Sequence, residues 1–99
     1  MIFRMRIYRG ATDHEDVFTT FFKEHLLPVQ LKHGARLIGR WKTESDSIVA
    51  IWEYDDFASY KRIHKAVTDD PDSAKARGLR AHLPPLFSEM EESFMESTL

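Results

Sequence analysis

Hydrophobic and polar residues alternate along residues 2–9, as in a β-strand whose side chains point to two opposite faces. One face carries Phe3, Met5 and Ile7, and the other carries Ile2, Arg4, Arg6 and Tyr8. Because the first set is entirely apolar, we predict that it packs against the core of the protein. The face with the arginines is then the outer face of the strand.

A long helix is predicted from about Asp13 to His33. Thr12 and Glu15 have the spacing of a capping box at its start. Pro28 removes one helical hydrogen bond, so we expect a kink near Glu24. The apolar residues that recur at helical spacing, and so form the buried stripe, are Val17, Phe18, Phe21, Phe22, Leu26 and Val29.

Gly34 marks the end of this helix, because glycine readily takes the left-handed conformation found at helix C-termini. Residues 35–43 and 48–54 are predicted to be strands, and the second is rich in β-branched and aromatic side chains. The polar residues 44–47 between them suit a hairpin loop. We therefore expect these two strands to pair antiparallel.

The last part of the chain contains a second helix, a weaker helical segment and a final strand. Asp55 or Asp56 can cap the second helix, and Asp70-Pro71 ends it. Residues 71–83 have a weaker helical pattern that contains Gly78. Residues 86–96 fit either a strand or a helix, and we favour a strand because it would complete the open edge of the sheet. The buried stripe of the second helix is formed by Phe57, Tyr60, Ile63 and Val67.

This order of elements, βαββαβ with an extra helical piece, predicts one α+β domain over residues 1–99 with the ferredoxin-like fold. Its four-stranded antiparallel sheet would have helices on one face only. The uncovered face would then be too aromatic to remain in water, so we expect a homodimer in which two sheets pack face to face. The side chains expected on that face are Arg4, Arg6, Tyr8, Trp52 and Tyr54.

Composition excludes several functions. The formal net charge of −2 gives no field that attracts a polyanion, and the strand signature of RNA-recognition domains is missing, so we expect no nucleic-acid binding. The absence of cysteine excludes disulfides, thiolate nucleophiles and cysteine-bound zinc, and it fits a reducing compartment. Residues 1–9 do not resemble a signal peptide and no apolar stretch is long enough to span a membrane, so we expect a cytoplasmic protein.

Metal and cofactor signatures are also missing. The histidines lack the spacing of a metal-binding pair, and no glycine-rich loop is present to hold a phosphate group. Neighbouring carboxylates such as Asp55-Asp56 and Asp69-Asp70 are interpreted as helix caps and stops. We therefore expect neither a metal site nor a tightly bound cofactor.

Six short motifs are distributed over most of the chain. They are Phe3-x-x-Arg6-x-Tyr8, Glu24-His25-Leu26-Leu27-Pro28, Lys32-His33-Gly34-Ala35, Leu37-x-Gly39-x-Trp41, Trp52-x-Tyr54 followed by Asp56, and Asp69-Asp70-Pro71. With these motifs the chain resembles the NIPSNAP family. The last motif usually continues into a tryptophan, whereas this chain has Asp72-Ser73-Ala74. The resemblance implies the dimeric α/β-barrel fold and a homodimer. That superfamily includes cofactor-independent monooxygenases, haem-degrading enzymes, lactone isomerases and stress-response proteins.

Five residues are candidates for a ligand site. Arg6 and Tyr8 share a strand face, so their guanidinium and phenol groups point the same way, towards a place suited to an anionic or enolic oxygen. Trp52 and Tyr54 alternate on a neighbouring strand and could complete an aromatic-walled pocket. His25 borders the apolar stripe of the first helix, where it is either a base or ligand contact or simply structural. The alternative for Arg6, Tyr8, Trp52 and Tyr54 is that they fill the seam between two subunits.

Two functions follow from these candidates. The first is binding, with possible oxidation or isomerisation, of a small aromatic or carbonyl-containing metabolite without a tightly bound cofactor. In the oxygenase version Arg6 stabilises a substrate enolate, Tyr8 and Tyr54 donate hydrogen bonds, and His25 acts as a base. The alternative is a non-catalytic homodimeric interaction or scaffold module. No constellation in the sequence names a reaction.

Overall fold

Four antiparallel strands form the sheet in this computed structural model, which describes residues 1–99. They are β1 (Ile2–Arg9), β2 (Arg36–Lys42), β3 (Ser47–Tyr54) and β4 (Glu89–Met95). Their order across the sheet is β2-β3-β1-β4, and all neighbours are antiparallel. The predicted hairpin and the ferredoxin-like order are confirmed. The final segment is the predicted strand and pairs with the open edge of β1.

The predicted first helix has an irregular middle. Its parts are α1 (Glu15–Phe21), a π-helical turn (Phe22–Leu26) and α2 (Leu27–Lys32). In a regular α-helix Pro28 would lack one hydrogen bond and its ring would clash with the carbonyl of Glu24. A π-helical turn lies at this point, where a kink was expected, and its wider geometry accommodates both effects. The predicted capping box is wrong, because α1 begins at Glu15 without a side-chain cap. The N–H of Thr12 instead donates to the carboxylate of Asp46 at 3.3 Å.

The other two helices are α3 (Phe57–Asp69) and α4 (Pro71–Arg80). Asp56 caps α3, because its Oδ1 atom accepts a hydrogen bond from the Ser59 N–H at 2.7 Å. Asp70 separates the two helices and caps α4 through the N–H of Asp72 at 2.8 Å. None of the helices has the length and apolar character needed to span a bilayer. The expected cytoplasmic location stays a prediction.

The helices cover the sheet face that contains the arginines. Along β3, the buried residues Ile48, Ala50, Trp52 and Tyr54 alternate with half-buried ones. Their partners on β1 are Tyr8, Arg6, Arg4 and Ile2. Arg4 is only 2% exposed. Two clusters of apolar side chains join this face to the helices, one around Phe18, Phe21 and Ile48 and one around Phe22, Trp52 and Ile63.

The predicted orientation of β1 is therefore wrong, although its alternation is as predicted. Phe3, Met5 and Ile7 lie on the face without helices, and Arg4, Arg6, Tyr8, Trp52 and Tyr54 lie on the covered face. Alternation defines two faces but does not say which one receives the helices when both contain apolar groups. The arginines made one face look solvent-exposed, yet Arg4 is buried against the rings of Tyr54 and Tyr60, and the half-buried Arg6 shares the carboxylate of Glu92 with it.

Candidate functional site

A cavity of about 250 Å³ lies between the covered sheet face and the helices. Two arginines, one tyrosine and six apolar residues line it, and no carboxylate does. Arg6 and Tyr8 come from β1, Met90 comes from β4, and Arg80 comes from the end of α4. The remaining lining residues are Phe18, Phe21, Leu26, Leu86 and Phe87. Such a mostly apolar space with a few polar groups is typical of small-molecule sites.

Three aromatic rings form a rigid wall of this cavity. The ring centroid of Tyr8 lies 5.2 Å from that of Phe18 and 4.9 Å from that of Phe87. The Phe18 and Phe87 centroids are 5.7 Å apart. The planes of Tyr8 and Phe18 are inclined by 84°, so the rings pack edge to face. Each ring therefore restricts the other two, and together they form an angled apolar wall for a ligand ring.

Arg6 is one of the two charged residues that line the cavity. Its Nε atom lies 3.7 Å from Oε1 of Glu92, and the same oxygen is 3.4 Å from Nη1 of Arg4. The first distance is too long for a hydrogen bond, and the buried Nε of Arg6 has no other partner. Burial alone would lower the pKa of Arg6, but Tyr8 and Glu92 favour the charged form and the pKa is raised.

Arg40 is a further, half-buried cation on this face, and the sequence did not single it out. It pairs with Ala50 on β3, and Ala50 pairs with Arg6 on β1, so the three lie in one row across the covered face. The guanidinium carbon of Arg40 lies 4.8 Å from the ring centroids of both Phe18 and Phe22. Its Nη1 donates to Oγ1 of Thr19 at 2.8 Å.

Two nitrogens of Arg40, Nε and Nη2, are buried without a hydrogen-bond partner. Burial lowers the pKa of Arg40, while nearby Tyr8 and Glu15 oppose this shift. Arginine keeps its charge in proteins, so Arg40 remains a half-buried cation. It also forms no ion pair, in contrast to Arg4, Arg6, Arg9 and Arg36.

A β-bulge brings Arg40 to this face. Leu37 pairs with Trp52, but the next paired residue is Gly39 with Ile51, so Ile38 is the extra residue. Without the bulge, simple alternation would place Leu37 and Arg40 on opposite faces. With it, both lie on the covered face. The sequence could have placed Arg40 on the covered face only if the bulge had been recognised. Gly39 is the one residue that indicates it, because glycine within a strand often marks a bulge.

Trp52 and Tyr54 do not line this cavity. They are 3% and 1% exposed and belong to the second core cluster. Trp52 packs 6.1 Å from Phe22, and Tyr54 packs 5.1 Å from Tyr60, between ring centroids. The pKa of the Tyr54 phenol is raised, mainly by burial. Arg4 lies beside this cluster, with its guanidinium carbon 5.3 Å from the centroid of Tyr60.

His25 lies in a different place, an open groove of about 480 Å³ between the first helical segment and the C-terminal end of α4. Its Nε2 atom is 3.8 Å from Oε2 of Glu24, and its ring is 5.5 Å from that of Phe21. Glu24, His82 and Leu79 share the groove. The structure therefore brings Arg6 and Tyr8 together and leaves His25, Trp52 and Tyr54 apart from them. A ligand contact of any of these residues stays a prediction.

A separate polar cluster joins α2 to α4. Asp70, whose side chain is 4% exposed, accepts hydrogen bonds from Lys32 Nζ at 2.8 Å and makes a 2.7 Å bond with His33 Nε2. These side-chain bonds from Lys32 and His33, with the backbone bond from Asp72, hold the pKa of the Asp70 carboxyl far below its usual value. No group of three or more histidine and carboxylate side chains is placed to hold a metal ion.

A four-stranded antiparallel sheet with helices on one face and a lined cavity between the layers defines this chain as a ferredoxin-like α+β domain. The chain belongs to the NIPSNAP family, whose model matches residues 3–98. The predicted family is thereby confirmed. Curated proteins give no match to this chain.

Several solved structures share the fold. An uncharacterised NIPSNAP domain protein from Burkholderia xenovorans is 24% identical with a TM-score of 0.85, covering 99% of this chain and 95% of the other. A NIPSNAP family protein from Agrobacterium tumefaciens is 17% identical with a TM-score of 0.83, covering 98% and 92%. An antibiotic biosynthesis monooxygenase is 12% identical with a TM-score of 0.64, covering 100% of both chains. At these identities the likeness shows the fold alone.

Proposed function

We propose that this protein binds a small aromatic or carbonyl-containing metabolite in the cavity between the sheet and the helices, without a tightly bound cofactor. The observation that carries the proposal is the unpartnered Nε of Arg6 beside a largely apolar cavity. A buried donor without a partner is costly, and a ligand oxygen would satisfy it. The phenol of Tyr8, on the same wall, is a second donor for such an oxygen.

The same geometry suits a reaction that passes through an enolate. Loss of a proton beside a carbonyl group places negative charge on the carbonyl oxygen, and the guanidinium of Arg6 with the hydroxyl of Tyr8 would stabilise that charge. Oxidation and isomerisation can both begin in this way. The antibiotic biosynthesis monooxygenase that shares the fold supports the oxidising version by analogy only.

Ligand-observed NMR with a library of small aromatic and carbonyl compounds tests the proposal on the full chain. Arg6→Ala and Tyr8→Phe should each weaken binding of the ligands found, while Arg62→Ala, at an exposed position on α3, should not. Circular dichroism checks that each variant is folded. If both cavity variants bound every ligand as the unmodified protein does, the site would be wrong.

The uncovered sheet face supports a second role, homodimerisation. It carries Phe3, Met5, Ile7, Val49 and Ile51, which are only half-buried, and Trp41, which is 49% exposed. These residues form a continuous apolar surface across the three strands β2, β3 and β1. A second copy would present the same surface under twofold symmetry and bury both. A non-catalytic dimeric module, the alternative function, would use this face and leave the cavity without a ligand.

Light scattering after size-exclusion chromatography tests the dimer. Met5→Glu places a charge in the middle of the uncovered face and should produce a monomer. Leu31→Glu changes an equally hydrophobic side chain that is 50% exposed on α2, and it should leave the dimer intact. A monomeric unmodified protein at micromolar concentration would exclude this role for the face.

A further inference from the structure

The charges beneath the helices are unbalanced. Arg4, Arg6 and Arg40 all project from the covered sheet face, and only one carboxylate, that of Glu92, forms an ion pair with any of them. Glu92 is shared between Arg4 and Arg6. Arg40 forms no ion pair, and the carboxylate nearest to it in charge effect, that of Glu15, pairs with Lys42. Buried charges are costly unless they are paired, so this interior favours the arrival of a further negative charge.

The unpaired donors also lie in one region. The row Arg40, Ala50, Arg6 places two guanidinium groups on either side of a methyl group. At the usual spacing of neighbouring strands the Cα atoms of Arg6 and Arg40 are about 10 Å apart. Arg40 does not line the cavity, so it would act on an anion at Arg6 through its charge and not by direct contact. The buried nitrogens without partners include Arg6 Nε and the Nε and Nη2 atoms of Arg40.

Arg40 is held in this position by specific contacts. The bulge at Ile38 directs it to the covered face, the rings of Phe18 and Phe22 both contact it, and Thr19 accepts one N–H. A cation fixed in advance loses little conformational entropy when an anion binds. These contacts occupy Nη1 and leave the Nε and Nη2 atoms free.

The rest of the cavity selects an apolar ring. The rings of Tyr8, Phe18 and Phe87 form its wall, and no carboxylate lines it, so a cationic ligand has no partner there. The volume of about 250 Å³ is below the roughly 300–1,000 Å³ of sites for drug-sized ligands. A molecule with a single ring fits that size. Arg80 at the mouth adds a further positive charge.

We propose that the ligand of this cavity is a monocyclic aromatic carboxylate, whose carboxylate contacts Arg6 while Arg40 supplies a second positive charge from across Ala50. This assignment rests on the proposed function and specifies its ligand class. Arg6 contacts the carboxylate directly. Arg40 does not touch it and stabilises it through its positive charge. The ring of the ligand packs against Tyr8, Phe18 and Phe87.

Benzoate and its neutral isostere benzamide are the probes, titrated into the full chain and followed by NMR chemical shifts. Because charge-assisted hydrogen bonds are about twice as strong as neutral ones, we expect benzoate to bind about tenfold more tightly. Arg40→Met should reduce this preference to about twofold, because the attraction between the Arg40 charge and the benzoate carboxylate supplies part of it. Arg40→Lys keeps the charge and should retain most of the preference.

The controls separate charge from packing. Arg62→Met removes an exposed arginine and should change neither affinity, and Arg40→Met should leave benzamide binding almost unchanged. Equal affinity of the unmodified protein for both probes, or an unchanged preference in Arg40→Met, would overturn the assignment. If Arg80→Met lost the preference for benzoate over benzamide and Arg40→Met kept it, the assignment would also be overturned. The charge that selects the carboxylate would then be that of Arg80 at the mouth of the cavity.

The two proposals fail in different ways. If benzoate did not bind but neutral library compounds bound and depended on Arg6 and Tyr8, the carboxylate assignment would be wrong and the ligand cavity would stand. If no compound of any charge bound, the proposed function itself would be wrong. Benzoate binding that depends on both Arg6 and Arg40 supports both proposals.

Discussion

The Nε2 atom of His33 lies 2.7 Å from the Oδ2 atom of Asp70, and this contact ties the end of α2 to the start of α4. Lys32 donates to the same oxygen at 2.8 Å. Two sequence motifs that are well separated along the chain, Lys32-His33-Gly34 and Asp69-Asp70-Pro71, therefore form one structural unit. Since α4 carries Arg80 to the cavity mouth, this unit also positions the site.

Asp70→Asn should lower the thermal stability of the protein. The amide loses the charge that pairs with Lys32 and His33, although it can still cap α4. We expect the Tm to fall by several degrees in differential scanning calorimetry. Asp69→Asn is the matched control, because Asp69 is exposed and pairs only with Lys65, and its Tm should remain close to that of the unmodified protein. Equal effects of both substitutions would show that the Asp70 contacts are unimportant.

The contribution of Asp70 should depend on pH in one direction. Its folded-state pKa lies below the ordinary aspartate value because Lys32, His33 and the Asp72 N–H bond the carboxylate. The unfolded chain therefore binds a proton first as the pH falls, so this contribution is complete above about pH 4 and is lost in more acidic solution. The difference in Tm between the unmodified protein and Asp70→Asn should be present at about pH 5 and should shrink as the pH falls below about 4. A difference that grew below that pH would contradict this mechanism.

Local sequence signals predicted the order of the elements. Gly34, the polar hairpin loop and the aspartate caps each act over a few residues, which is why they could be recognised without knowledge of the fold. The pairing register of β1 and β3 is a long-range property. Tyr54 lies opposite Ile2, whereas Tyr8 lies opposite Ile48, so Tyr54 and Tyr8 are about 20 Å apart along the sheet. Tyr8 and Tyr54 therefore share a sheet face, but they are too far apart to line the same pocket.

Arg40 shows a second limit of strand alternation. One inserted residue, Ile38, reverses the faces of all residues that follow it in β2, and nothing in the alternating pattern marks the insertion. The choice of covered face depended on helices that are distant in sequence. Arg6 and Tyr8 could be identified as candidates because they are neighbours on one strand.

Glu92→Gln should destabilise the protein more than Arg4→Met does. Glu92 is the carboxylate nearest to both Arg4 and Arg6, so its loss leaves two partly or fully buried guanidinium groups without a counter-charge. We expect a loss of about 1–3 kcal/mol in the free energy of unfolding. Arg4→Met instead removes one cation and fills its place with an apolar chain, which is often nearly neutral. Urea denaturation of both variants provides the comparison, and a larger loss in Arg4→Met would contradict the charge imbalance.

Gly39→Ala should disturb the uncovered sheet face without changing the cavity. The indole ring of Trp41 lies directly against the Cα of Gly39, and a Cβ at that position would overlap the ring. The ring must then rotate away from the strand, where it no longer forms part of a flat apolar surface. We expect a shift in tryptophan fluorescence and a weaker dimer in sedimentation analysis, since shape complementarity contributes to such interfaces. Gly78→Ala is the matched control, because a Cβ there meets no atom within 4 Å and the exposed helical position favours alanine. If Gly39→Ala dimerised as tightly as Gly78→Ala, Trp41 would not belong to the interface.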